Sequence, residues 1–197
     1  MKRMGILKKI KKVLLSPTEF FENVKYEVGI VDAIKYLLVL LIIFYALEFF
    51  IVTPEFTFSI ILFLISLTFS FGFVFFFVAI FHIGCLITGA RGGYSNTFKA
   101  MVYSVTPYYL MGLCFIFGAY SDIIYTYISI PMLIFVIWSL ILFIKGISIL
   151  HGISTARAIL SLIISIAILV GVLYFILAVS GIFFIFSLFS SFGRIPT

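Results

Sequence analysis

The chain has 197 residues, 64% of them apolar and 10% charged, with 26 Phe, a net charge of +6 and a mean hydropathy of +1.36. Soluble domains hold roughly 45–50% apolar and about 25% charged residues, so these few charges cannot cover a soluble globule of this composition. A soluble enzyme, a secreted disulfide scaffold and a disordered chain are excluded, which leaves an all-α polytopic membrane protein.

The charge lies at the start of the chain. Lys2, Arg3, Lys8, Lys9, Lys11 and Lys12 account for the whole +6, with no acid among them. Apolar residues at 6, 7, 10, 13 and 14 recur with helical spacing, and lysines fill the other face. This predicts an amphipathic helix lying in the membrane interface. There Lys8, Lys9, Lys11 and Lys12 meet anionic headgroups, at about 1 kcal/mol each. The basic balance therefore points to a membrane surface and not to nucleic acid. A cleaved signal peptide does not fit, because lysines interrupt the apolar residues and no small-residue cleavage site follows.

A second short helix is expected from Ser16, with Pro17 at its first position and Glu19 closing a capping box. Phe20, Phe21, Val24 and Val28 form its apolar face, Gly29 ends it, and Asp32 caps the next helix. Residues 1–32 thus read as a basic cytoplasmic segment.

Five apolar stretches follow, at 33–52, 58–88, 98–118, 123–144 and 158–188, each reaching the roughly 20 residues a hydrocarbon core requires. They make up a transmembrane domain over 33–190, with a short external tail at 191–197. The second and fifth outrun a core of about 30 Å at about 1.5 Å per residue, and are expected to tilt, bend or project.

The loops orient this bundle. Seven Lys and Arg precede the first span and Lys35 stands at its start; Arg91 and Lys99 flank one loop, Lys145 and Arg157 another. Only Arg194 falls on the opposite side. The positive-inside rule then puts the N-terminus in the cytoplasm and the C-terminus outside, in the cell membrane. Arg91, Lys99, His151 and Arg157 are candidate contacts for lipid phosphates or a protein partner, since helix N-termini nearby expose free N–H groups.

Pro107 and Pro131 fall near the midplane by residue count, where proline removes a helix hydrogen bond and kinks the helix. With Thr106, Tyr108 and Tyr109 they form a candidate pocket, of the kind a permease or lipid-translocating protein builds from broken helices. Glu48 and His82 are the clearly intramembrane ionisable residues, near opposite ends of their spans, which disfavours an ion-coupled pump. Cys85 and Cys114 lie toward opposite faces and are expected to remain unpaired.

Catalytic signatures are absent. The chain has no Gly-x-Ser-x-Gly elbow, no His-Glu-x-x-His and no phosphate-binding loop. One His and one Glu fall far short of a metal ligand set. No enzyme activity, metal or cofactor is expected.

Several segments, in order, carry a family resemblance. They are Ser16-Pro17-Thr18-Glu19-Phe20-Phe21, then Gly92-Gly93-Tyr94-Ser95-Asn96-Thr97-Phe98-Lys99-Ala100 leading to Tyr103-Ser104-Val105-Thr106-Pro107. Trp138, Lys145-Gly146, His151-Gly152-Ile153-Ser154 and Arg157-Ala158 complete the series. With these the chain resembles the Ypt-interacting-protein (Yip) domain family of five-span membrane proteins. The resemblance implies a cytosolic N-terminus, five spans and no catalytic chemistry. Eukaryotic members are linked to Rab-type GTPases and vesicle trafficking. The short basic N-terminal segment here lacks their long polar tail and is similar to the prokaryotic or archaeal branch. The expected function is a non-enzymatic membrane organiser or adaptor acting through its cytoplasmic face on anionic lipid or a protein partner, with homo-oligomers possible. The alternative is a permease or lipid-translocating protein using the kinked spans.

Overall fold

A computed structural model of the chain describes residues 4–52, 56–118 and 129–192. All regular elements among them are helices: α1 (Ile6–Leu15), α2 (Pro17–Val24), α3 (Val31–Val52), α4 (Phe56–Ile87), α5 (Tyr94–Ser104), α6 (Thr106–Gly118), α7 (Ser129–His151) and α8 (Thr155–Phe192). Helices close their backbone hydrogen bonds internally, as an apolar solvent demands. Ile60–Ile87, Pro131–His151 and Thr155–Ser180 are long and apolar enough to cross a membrane. The other two expected spans are not among these. Helix α3 carries Asp32, Lys35 and Glu48, and the third span is two helices, α5 and α6, that meet at Val105. The start of the expected span at 123–144, Lys2, Arg3, Arg194 and the side chain of Cys114 lie outside the described residues.

The break at Val105 has a local cause. Its backbone sits at φ −78°, ψ 0°, and Pro107, two residues on, has no N–H to offer the Tyr103 carbonyl one turn back. Thr106 Oγ1 donates to that carbonyl instead, at 2.7 Å. Pro131 lies in the first turn of α7 as described, and is exposed.

Helix α5 is the hub of the bundle. Its Thr97, Phe98, Lys99, Ala100, Val102, Tyr103 and Ser104 are all buried, because α3, α4 and α7 pack around it. Helix α2 covers the same region with Phe20, Phe21 and Val24, all fully buried. Gly146 on α7 leaves room for Phe21, whose ring carbons lie 3.0 Å from where a Cβ would stand. Phe20 and Tyr103 meet edge to face at 4.9 Å, as do Tyr36 and Tyr103 at 5.0 Å.

Helix α8 packs on α4 through small residues. A Cβ at Gly84 would lie 2.1 Å from Ser165 Oγ and 2.6 Å from the Ser161 carbonyl. Such close backbone approach is the usual device for joining helices in lipid, where burying apolar surface gives no drive. Farther along, Leu173, Tyr174, Phe175, Ile176 and Leu177 are all exposed in succession. A helix packed along one side cannot expose five residues in a row, so this part of α8 stands clear of the described bundle.

Four local expectations change at the N-terminal helices. Ser16 occupies the cap of α2, but its side chain makes no capping bond. The Glu19 carboxylate turns to Lys12 Nζ at 2.5 Å and so closes no capping box. Val28 is 98% exposed, because α2 ends at Val24 and the chain has left the helix before reaching it. Asp32 lies inside the first turn of α3 and does not precede it. Gly29, at φ +70°, supplies the left-handed turn between α2 and α3.

Candidate functional site

The described residues hold two buried polar clusters on α5, one mixed surface on α1 and one apolar cleft at the α5–α6 junction.

The first cluster fastens α1 to the bundle. The stripe of α1 facing inward is Ile6, Lys9, Ile10 and Val13, with Lys9 4% exposed and Val13 fully buried. Lys9 Nζ donates to Glu27 Oε1 at 2.7 Å and to Tyr103 OH at 2.9 Å. Tyr103 OH in turn donates to Glu27 Oε2 at 3.1 Å. The ammonium sits 5.2 Å from the Tyr103 ring centre. Since it is bonded to the hydroxyl, it lies off the ring edge, and the contact is a hydrogen bond more than a cation–π one. Lys99 Nζ donates to the Glu27 backbone carbonyl. Tyr36 OH completes the group, 2.7 Å from Thr106 Oγ1. Because the Thr106 proton is committed to Tyr103, Tyr36 is the donor.

The second cluster centres on Thr97. Its hydroxyl lies 2.9 Å from His82 Nδ1 and 3.0 Å from His151 Nε2. A hydroxyl has one proton and two lone pairs, so it donates to one ring and accepts from the other, and both imidazoles are served while neutral. His151 Nδ1 faces Gly92 without a hydrogen bond. Asn96 Nδ2 donates to the Leu150 carbonyl at 2.8 Å, and Ser95 Oγ to the Gly29 carbonyl at 3.1 Å. Tyr94 OH donates to the Phe75 carbonyl at 3.2 Å. Cys85 is buried and free. These bonds join α4, α5 and α7, and they hold the turn at Gly29 against α5.

The candidate contacts therefore divide. Lys9, Lys99 and His151 point inward, each with a protein partner, so they are not surface groups. Lys8, Lys11, Arg91 and Arg157 are exposed, and Lys12 is half-buried against Glu19. Thr106 and Pro107 are buried, Tyr108 is exposed and Tyr109 half-buried. The inward turn of Lys9 could not be read from spacing, because Tyr103 lies 94 residues away. The Tyr and Glu that receive it carried no local signal.

With Lys9 inside, the outward arc of α1 differs from the expected all-lysine face. Leu7, Lys8, Lys11 and Leu15 fall within about 100° of one another at helical spacing, and all four are exposed, Leu7 by 83%. Two leucines and two lysines thus share one surface. Tyr26 and Val28, also exposed, follow on the adjacent turn.

A cleft of about 350 Å³ lies between α3, the middle of α4 and the α5–α6 junction. It reaches Tyr108 and Tyr109, and its other walls are Phe44, Tyr45, Phe69, Ser70, Phe73, Val74, Phe77, Met101, Val102 and Val105. No charged residue lines it.

The family model of the Yip1 domain matches residues 11–177. No curated protein and no solved structure matches the chain.

Proposed function

The chain belongs to the Yip1 domain family of membrane proteins, and from that premise we propose that it is a non-enzymatic, five-span membrane organiser acting through a cytoplasmic face built on α1. In this reading α3, α4, α5–α6, α7 and α8 each cross the cell membrane, the last two joined at the same face as α4 and α5. The N-terminus is cytoplasmic and the C-terminus outside.

The observation that carries the reading is the outward arc of α1. A helix whose exposed stripe pairs leucines with lysines suits the boundary between acyl chains and anionic headgroups. The leucines enter the boundary while the ammonium groups stay with phosphate. Arg91, exposed on the loop before α5, and Arg157, exposed in the first turn of α8, add positive charge to the same face. A protein partner, a GTPase by family likeness, or a second copy would dock on this face too.

Of the alternative, a permease or lipid-translocating protein, the permease form is the weaker. The cleft does reach Tyr108 and Tyr109, but an aromatic wall without charge offers no path to a hydrophilic solute.

Removing residues 1–15 from the reconstituted protein tests the proposal. Vesicles carrying the shortened chain should lose remodelling or cytoplasmic partner recruitment that the full chain supports. Equal behaviour of the two chains would count against it.

A further inference from the structure

We propose that the cleft at the α5–α6 junction is an intramembrane site for one acyl chain of a membrane lipid. The inference needs only that the bundle sits in a bilayer, and stands or falls apart from any role of α1.

Position is the first argument. The cleft faces the middle of the apolar stretch Ile60–Ile87, where Phe73 is centred. A group entering at this depth meets hydrocarbon, not headgroups. Phe73 and Tyr108 at the rim are 42% and 43% exposed, so the cleft opens to the outside of the bundle.

Chemistry is the second. No charged residue lines the cleft, and its Tyr45 OH and Ser70 Oγ are bonded to one another. The occupant accordingly needs no polar atoms. The Tyr108 and Tyr109 hydroxyls are the other polar side-chain atoms of a lining that is otherwise apolar.

Access is the third. The cleft holds about 350 Å³ and opens at the side of the bundle, where acyl chains are the surrounding solvent. A single hydrocarbon chain enters from there without a second protein having to dock.

The fold explains why the space exists. The Pro107 break turns α6 away from the line of α5 at Val105, and the small Val74 and Val102 do not refill the gap between large aromatic rings.

The test uses the full chain in phosphatidylcholine vesicles doped with a phosphatidylcholine that carries a diazirine near the methyl end of one acyl chain. After photolysis, adducts are mapped by mass spectrometry. Adducts on Phe73, Met101 and Tyr108 should exceed several-fold those on Ile166 and Val170 of α8, which are exposed and lie at the middle of their own apolar stretch. Cleft adducts should saturate as the probe fraction rises, while α8 adducts rise in proportion. Val74→Trp, which fills the cleft, should lower the cleft adducts several-fold and leave α8 unchanged. The saturation measurement on the unaltered chain decides the matter even if that variant fails to fold. Equal labelling of the two regions, or linear growth of both with probe, would overturn the proposal and leave only the lipid that coats any membrane protein.

Discussion

Lys9 of α1 and Glu27, beyond the end of α2, are joined Nζ to Oε1 at 2.7 Å inside the bundle, with Tyr103 bonded to both. A helix that looks from its spacing like a free amphipathic anchor is therefore part of the folded domain. The buried pair contributes little net stability, since desolvation offsets the attraction. Its main effect is positional, because it selects which arc of α1 faces outward.

Breaking the pair from one side should be costly. Lys9→Ala leaves Glu27 partly buried without its cation, and should destabilise the protein by about 3 kcal/mol, the low end for such a loss because Glu27 keeps some solvent. Lys8→Ala, on the outward arc, should change stability by less than about 0.5 kcal/mol. Unfolding midpoints of the two variants in one detergent check this; equal midpoints would show that Lys9 is not anchored.

Thr97 serves two imidazoles with a single hydroxyl. Thr97→Val keeps the shape and removes both bonds, so the buried His151 loses its partner at about 1–3 kcal/mol and the half-buried His82 loses less. Thr97→Ser retains the hydroxyl and should lose far less. If the Val and Ser variants melt together, the His82–Thr97–His151 bridge contributes nothing.

The α4–α8 crossing predicts a sharp contrast between two glycines. Gly84→Ala places a methyl against Ser165 and the Ser161 carbonyl, and should cost about 1–3 kcal/mol by forcing the helices apart. Gly171→Ala meets nothing within 4 Å, and should be neutral or stabilising by up to about 1 kcal/mol from helix propensity. Thermal unfolding of both variants separates the cases.

Much of the bundle was legible in the sequence because lipid leaves few solutions. Long apolar runs marked α4, α7 and α8, and Pro107 marked the place where the third expected span is two helices. Tertiary partners were not legible. Spacing predicts that α1 is a helix but cannot choose its rotation when Lys9 finds Glu27 and Tyr103. The histidine at the end of α7, His151, reads as a surface contact for lipid or a partner until Thr97 of α5 is seen to reach it. The Glu19 capping box failed for the same reason, since Lys12 competes for the carboxylate.

The outward arc of α1 makes a salt-dependent prediction. Lys8 and Lys11 together should favour an anionic surface by about 2 kcal/mol, roughly thirty-fold in partition. Salt screens such exposed charges over about 8–10 Å, and should leave the buried Lys9–Glu27 pair intact.

The most direct measurement places an environment-sensitive fluorophore at Leu7→Cys in the reconstituted full chain, with Cys85 and Cys114 replaced by Ala, and compares zwitterionic with anionic vesicles. The account predicts a blue-shifted emission in anionic vesicles that is lost in Lys8→Ala/Lys11→Ala and weakened at high salt. A water-exposed emission that is the same in both lipids would contradict it.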